Sequence, residues 1–406
     1  MTRLALLVLL PLAPLAGQDS RPAGPWKVER SRRADTAVVR TTAGSTWGDQ
    51  VRLVEELRIG TRDGEGPDAF GFLTGFALFP DGVIAVFDQT VPAIRLFSPD
   101  GKFLRTLGRD GAGPGEYRNA SLGLAVDRSG NLLMYDPRNA RINRWTRDGT
   151  VLPSWRAPGR LYTAQAMQLD TAGNTYLKLT IGQIQANQPW EIALLRLDST
   201  GTAVDTVRRP PIAGPSPAGG SYFTPQKLWL VARSGRMISG SGAGYSILVA
   251  PPRGTAVRIE RVIPQVRLIP AERANYQELA DAVRRDPRVV TSRVSDVPEA
   301  KPYFTELHAD LDGRIWVRLS TKGEPYDPPP PPAAAPGETP RPQIRWRSPT
   351  VWDVFEPGGT FLGQLALPWR TTLADARGNQ VWAIQRGEDD ENYIVRYRIT
   401  DTRANP

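Results

Sequence analysis

Glu306 and His308 stand two residues apart in FTELHADLDGRIWVRL, residues 304–319. On a strand, such positions share a face. A carboxylate that orients an imidazole makes a general base, so this pair is the candidate catalytic set. His308 is the only histidine of the 406 residues, and the chain has no cysteine. A multi-histidine zinc site, thiolate metal sites and disulfides are therefore excluded within one chain. A second candidate is GEDDENY, residues 387–393, with Glu388, Asp389, Asp390 and Glu391. Clustered carboxylates such as Asp389, Asp390 and Glu391 suit a hard cation, and calcium is the one cofactor this chemistry suggests. The spacing is not that of an EF-hand loop. The alternative is a solvated hairpin tip.

A third candidate is the glycine-rich GAGPGEY, residues 111–117. Such a loop can aim amides at an anion. Neither the Lys-Ser/Thr pair nor the helix of a phosphate cradle follows it, so its glycines are expected to carry the chain between sheets. Asp88 with Arg95, and Asp136 with Arg141, are placed to pair across the connection between consecutive strands. Together with Arg109, Glu116, Tyr117 and Asn139 they would form either a structural clasp or a rim that binds a polar ligand.

Strands must position all of these groups. Residues 56–70 (ELRIGTRDGEGPDAF) and 103–117 (FLRTLGRDGAGPGEY) repeat a strand, a glycine-rich loop with a Gly-Pro turn, and an aromatic. Five hairpins align on Gly101, Gly149, Gly201, Gly254 and Gly359, where the chain reverses between two strands. Their spacings are 48, 52, 53 and 105 residues, the last being one blade lengthened by two inserts. An inner hairpin precedes each, beginning at Phe76, Leu122, Ala166, Lys227 and Phe304, and a sixth begins at Thr372. Asp127, Asp170 and Asp375 follow inner strands near the turn, away from the channel. The sixth outer hairpin is split between YIVRYRI, residues 393–399, and VRLVEELRI, residues 51–59. The expectation is an all-β, six-bladed propeller over 51–402, closed by the N-terminal strand pairing into the last blade.

Two inserts interrupt the ring. Residues 270–287 predict a helix, with Pro270 in its first turn, Tyr276, Leu279 and Val283 on one face, and Pro287 ending it. Residues 321–349 hold a proline-rich loop, expected to be extended and exposed; it would be a ligand for a proline-binding domain or a solvated loop. The eleven tryptophans, among them Trp145, Trp155, Trp190, Trp316, Trp352 and Trp382, alternate along strands. Packing between blades is their expected task; a row that binds carbohydrate is the other reading.

Residues 132–149, LLMYDPRNARINRWTRDG, resemble the NHL repeat through Asp136, Asn139, Arg141, Ile142, Trp145 and Gly149. Asp88, Arg95 and Phe97 repeat part of that motif, and the later blades keep only the strand rhythm. The chain is similar to six-bladed propeller proteins of exported bacterial type. That resemblance implies the fold; propellers host binding modules, lactonases and lyases alike.

The formal net charge is +9. It suits an anionic partner, or is a compositional bias spread over a solvated surface. No dense Lys/Arg block appears, so nucleic acid is not expected as a partner. Residues 1–17, with Arg3 and the apolar run Leu4–Leu12, read as a signal peptide, and 18–50 as a lead-in segment. No later stretch approaches transmembrane length. The expected protein is an exported monomer, periplasmic or extracellular. Its expected role is a non-catalytic scaffold for a protein or small polar ligand. A propeller-type hydrolase or lactonase with a channel-bound cation is one alternative, and an arginine surface for an anionic polymer is another.

Overall fold

The computed structural model describes residues 25–48, 51–118, 123–157, 167–181, 191–214, 220, 222–286, 294–331 and 342–401. The signal segment 1–17, Leu122, Ala166, Trp190, Pro287 and residues 332–341 of the proline-rich loop lie outside them. Six sheets form the ring, each built on four antiparallel strands. Their innermost strands are Leu73–Leu78, Leu124–Val126, Gln168–Leu169, Lys227–Val231, Phe304–Ala309 and Thr371–Arg377. In chain order these begin blades one to six.

The outer hairpins obey the glycine ruler. In blade three, Asp198 N–H donates to Thr202 O at 2.9 Å, and Gly201 N–H to Asp198 O at 3.0 Å. Gly201 holds φ +84°, a conformation that glycine enters without a Cβ penalty. Blades one, two and five repeat this turn at Ser98–Lys102, Thr146–Thr150 and Glu356–Thr360.

The ring closes as the sequence predicts. Val51–Ile59 pairs antiparallel with Asn392–Asp401, with Ile59 opposite Ile394 and Val51 opposite Asp401. Both ends of the ring thus meet in blade six, which covers edges that would otherwise recruit other chains.

The lead-in segment does more than connect. Lys27–Arg33 and Thr36–Ala43 form a hairpin. Its second strand pairs parallel with Ala256–Arg261, so blade four has six strands rather than four. Past the hairpin, the N–H groups of Thr46 and Trp47 donate to Phe361 O and Leu362 O of blade five. Gly359 and Gly363 leave room for this strap: a Cβ on either would come within 2.9 Å of Val39 or Trp47.

Apolar side chains fill the seams between blades. Trp145, Trp316, Trp352 and Trp382 are all less than 2% exposed. Burying each contributes about 2–3 kcal/mol, and this supports the packing role expected of them.

The two inserts meet. The helix spans Pro270–Arg285, with proline in its first turn, where the missing N–H costs nothing. Its buried face is Glu272, Tyr276, Leu279 and Ala280. Val283, expected on that face, is half-buried, and the Glu272 carboxylate takes the inward position one turn before Tyr276. Tyr276 and Leu279 pack with Leu268, Val297, Tyr222, Phe223 and Trp346. A short ribbon pairs Glu324–Pro325 with Trp346–Arg347 at the base of the proline-rich loop. Asn275 of the helix binds that base, donating to Gln343 O at 3.0 Å and accepting from Arg345 N–H at 2.9 Å. The result is one cap beside blades four and five. No helix among the described residues is long and apolar enough to cross a membrane.

Candidate functional site

The rim candidates lie in the crossings between blades. Asp88 is fully buried and accepts from the N–H groups of Gly71, Phe72 and Thr90 at 3.0–3.1 Å. Arg95 meets it at 3.2 Å, as the sequence predicts, and donates also to Ala69 O. Asp136 is equally buried and accepts from Arg118 N–H and from the Asn139 side chain, the latter at 2.7 Å.

Arg141 corrects the expected second pair. Its guanidinium donates to the carbonyls of Ala112, Gly113 and Glu116 rather than to Asp136. The physical reason is the loop itself: its amides are engaged internally and its carbonyls face the arginine. Gly111 N–H donates to Tyr117 O at 3.1 Å, and Gly113 N–H to the Glu116 carboxylate at 2.7 Å. Arg109 Nε donates to Glu116 as well. The Gly113 amide, and then Arg109, hold the Glu116 carboxyl below its usual range. Tyr117 is fully buried; its hydroxyl donates to Leu107 O and accepts from Ile94 N–H. Burial pushes that phenol up to about 12. These groups join blade one to blade two, and Arg109 alone among them keeps a largely exposed side chain.

The channel strands place the catalytic candidates differently from the expectation. Glu306 lies 3.5 Å from Arg318 on the next strand. The carboxylate beside His308 is Asp375 of blade six, with Oδ1 3.4 Å from Nε2. Asp375 was expected away from the channel. A register shift between Leu373 and Asp375 resets its strand and turns the side chain to the seam. Asp127 and Asp170 do cap their turns, accepting from Asn131 and Asn174 N–H at 2.9 Å. Asp310 does the same in blade five and also accepts from Trp316 Nε1 at 2.9 Å.

Burial by itself would lower the His308 pKa. The Asp375 hydrogen bond, then the charges of Asp375, Asp310 and Glu306, outweigh it and raise the value. Burial pushes Asp310 up to about 6. His308 Nδ1 has no partner among the described residues. With the proton on Nε2, the lone pair on Nδ1 could accept a proton.

The acidic turn is answered by arginines. Asp389 meets Arg62, and Asp390 meets Arg370. Glu391 accepts from Tyr393 Oη at 3.1 Å and from Asp389 N–H at 2.9 Å. Among the described residues no three His, Asp or Glu side chains form a group that could hold a metal ion.

Two grooves flank the cap helix among the described residues. A groove of about 760 Å³ lies between the helix and the ribbon, lined by Ala274, Asn275, Glu278, Tyr326, Arg345 and Trp346 among others. A smaller one of about 360 Å³ lies on the other flank of the helix, against Arg267, Arg273 and Glu299. Sequence reasoning missed this site. The helix and the proline-rich segment were each legible, but no periodicity links residues some seventy positions apart, such as Asn275 and Arg345.

No family model matches the chain, and no curated protein matches it. Solved structures do. A member of the DUF4221 family from Bacteroides vulgatus aligns over 87% of this chain and 99% of its own, at 11% identity and TM-score 0.53. A candidate exported protein from Bacteroides fragilis covers 89% and 99%, at 10% identity and TM-score 0.49. A gluconolactonase from Xanthomonas campestris covers 94% and 99%, at 14% identity and TM-score 0.42. At 11% identity the likeness to the DUF4221 structure is one of fold alone, and the fold of this chain is the six-bladed β-propeller.

Proposed function

We propose that this chain is an exported, non-catalytic propeller that binds a ligand or protein through the cap built by its two inserts. Export rests on the composition of residues 1–17. The observation that carries the binding role is the groove between the helix and the ribbon, where aromatic and charged side chains converge on a concave surface. The 111–117 crossing loop offers little to a ligand, because the Glu116 carboxylate takes its Gly113 amide and Arg141 takes its carbonyls. Of the inner-strand candidates, one imidazole–carboxylate contact remains, beside no group of three metal-ligating side chains among the described residues. That is a sparse set for a cation-dependent hydrolase.

Ala274 borders both grooves, and a large side chain there would intrude on both. Thermal-shift screening against saccharides, peptides and small lactones should find a stabilising ligand. Ala274→Trp should remove that stabilisation and leave the unliganded melting temperature unchanged. Turnover of a lactone or ester that His308→Ala abolishes and Ala274→Trp leaves intact would sink the proposal.

A further inference from the structure

We infer that the groove between the helix and the ribbon takes a neutral saccharide, an inference that rests on the cap being the recognition surface. Tyr326 and Trp346 line the groove. Tyr326 packs at 5.8 Å against Trp369, which is 42% exposed. The Arg347 guanidinium sits 5.4 Å from the Trp369 ring centre and is itself paired with Glu324 at 3.0 Å. Trp369 thereby braces Tyr326, the ring that lines the groove, before any ligand arrives. Rigid aromatic faces suit the C–H faces of a sugar ring, and bracing lowers the ordering cost of binding.

The polar groups of the groove match hydroxyls. Glu278, Asp327 and Arg345 line it, and their side chains have no partner among the described residues. Two carboxylates accept hydrogen bonds and one guanidinium donates them, the two capacities that a sugar hydroxyl answers. Two negative charges against one positive disfavour an acidic glycan. A polyproline peptide has no backbone N–H to offer the carboxylates and would leave them desolvated without a partner.

The test uses the mature chain and three neutral probes: cellotetraose, maltotetraose and tetra-N-acetylchitotetraose. Titration calorimetry should show at least one of them binding, with a blue shift of tryptophan emission. Tyr326→Ala should weaken it about tenfold, and Trp369→Ala, which removes only the brace, by less, with unchanged melting temperatures. The inference is overturned if no probe binds, if both variants bind as the parent does, or if an acidic oligosaccharide or a proline decapeptide binds more tightly. In that last case, loss of the peptide in Ala274→Trp would leave the cap as the recognition surface and remove only the saccharide.

Discussion

Lys301 Nζ lies 2.6 Å from Glu272 Oε1, and both side chains are 2% exposed. Glu272 comes from the first turn of the cap helix, and Lys301 from the chain leading into blade five. The ammonium also donates to Thr321 O at 2.9 Å and Ser348 Oγ at 3.2 Å. One buried charge pair thus ties the helix, the entry to blade five and both arms of the ribbon. Gly323 makes room for it, since a Cβ there would collide with the Glu272 carboxylate. Burial lowers the Lys301 pKa, and Glu272 opposes that shift.

Removing one partner strands the other charge without water. Lys301→Met or Glu272→Leu is expected to destabilise the cap by about 3–5 kcal/mol. The double variant Glu272→Leu/Lys301→Met should recover most of that loss. Urea denaturation of the four species, with limited proteolysis of the cap, checks this. Additive losses in the double variant would show that the two charges do not act as a pair.

The seam between blades five and six gives stability an unusual pH dependence. The folded pKa of His308 is raised above 6.5, so its contribution is full below that value and is lost as pH rises through the folded value. Asp310 is also raised, from 3.8 to about 6. Its unfolded carboxyl ionises first, so stability falls as pH climbs from 3.8 towards 6. That displacement corresponds to about 3 kcal/mol. Both groups favour the mildly acidic side. Melting temperatures from pH 4 to 8 should lose the lower part of this fall in Asp310→Asn and the upper part in His308→Gln. Profiles parallel to the parent's would remove the assignment.

Two turn glycines separate backbone from packing. Gly130 and Gly201 both hold positive φ, at +75° and +84°. A Cβ on Gly130 meets nothing within 4 Å, whereas one on Gly201 would overlap the Trp155 ring. Gly130→Ala should cost about 1 kcal/mol, the left-handed penalty by itself. Gly201→Ala should cost about 2–4 kcal/mol, because Trp155 must also move. Equal urea midpoints for the two variants would contradict this.

The inner-strand and rim candidates were only partly legible in the sequence, and the cap groove was not legible at all. His308 was found through its residue type and its place on an inner strand. Its partner was not, because Asp375 reaches it across a seam and through a register shift. Asp88 and Arg95 were paired correctly, since they face one another across a short connection. Arg141 was not, because its acceptors are backbone carbonyls nearly thirty residues upstream, and carbonyls leave no mark in a side-chain pattern.

The sequence by itself determined the number of blades and the way the ring shuts. Turn glycines, strand alternation and the apolar strand at 51–59 are local signals, and a propeller repeats one local unit. Tertiary structure decided the rest. It laid residues 27–47 over blades four and five and joined the helix to the ribbon in one cap. It also buried Glu272 against Lys301. Those outcomes depend on which surfaces meet once the blades have stacked, and such meetings carry no period along the chain. The glycine-rich loops show the division most plainly. Their spacing announces a crossing between blades, and only the fold reveals that Arg141, Glu116 and Tyr117 hold that crossing shut.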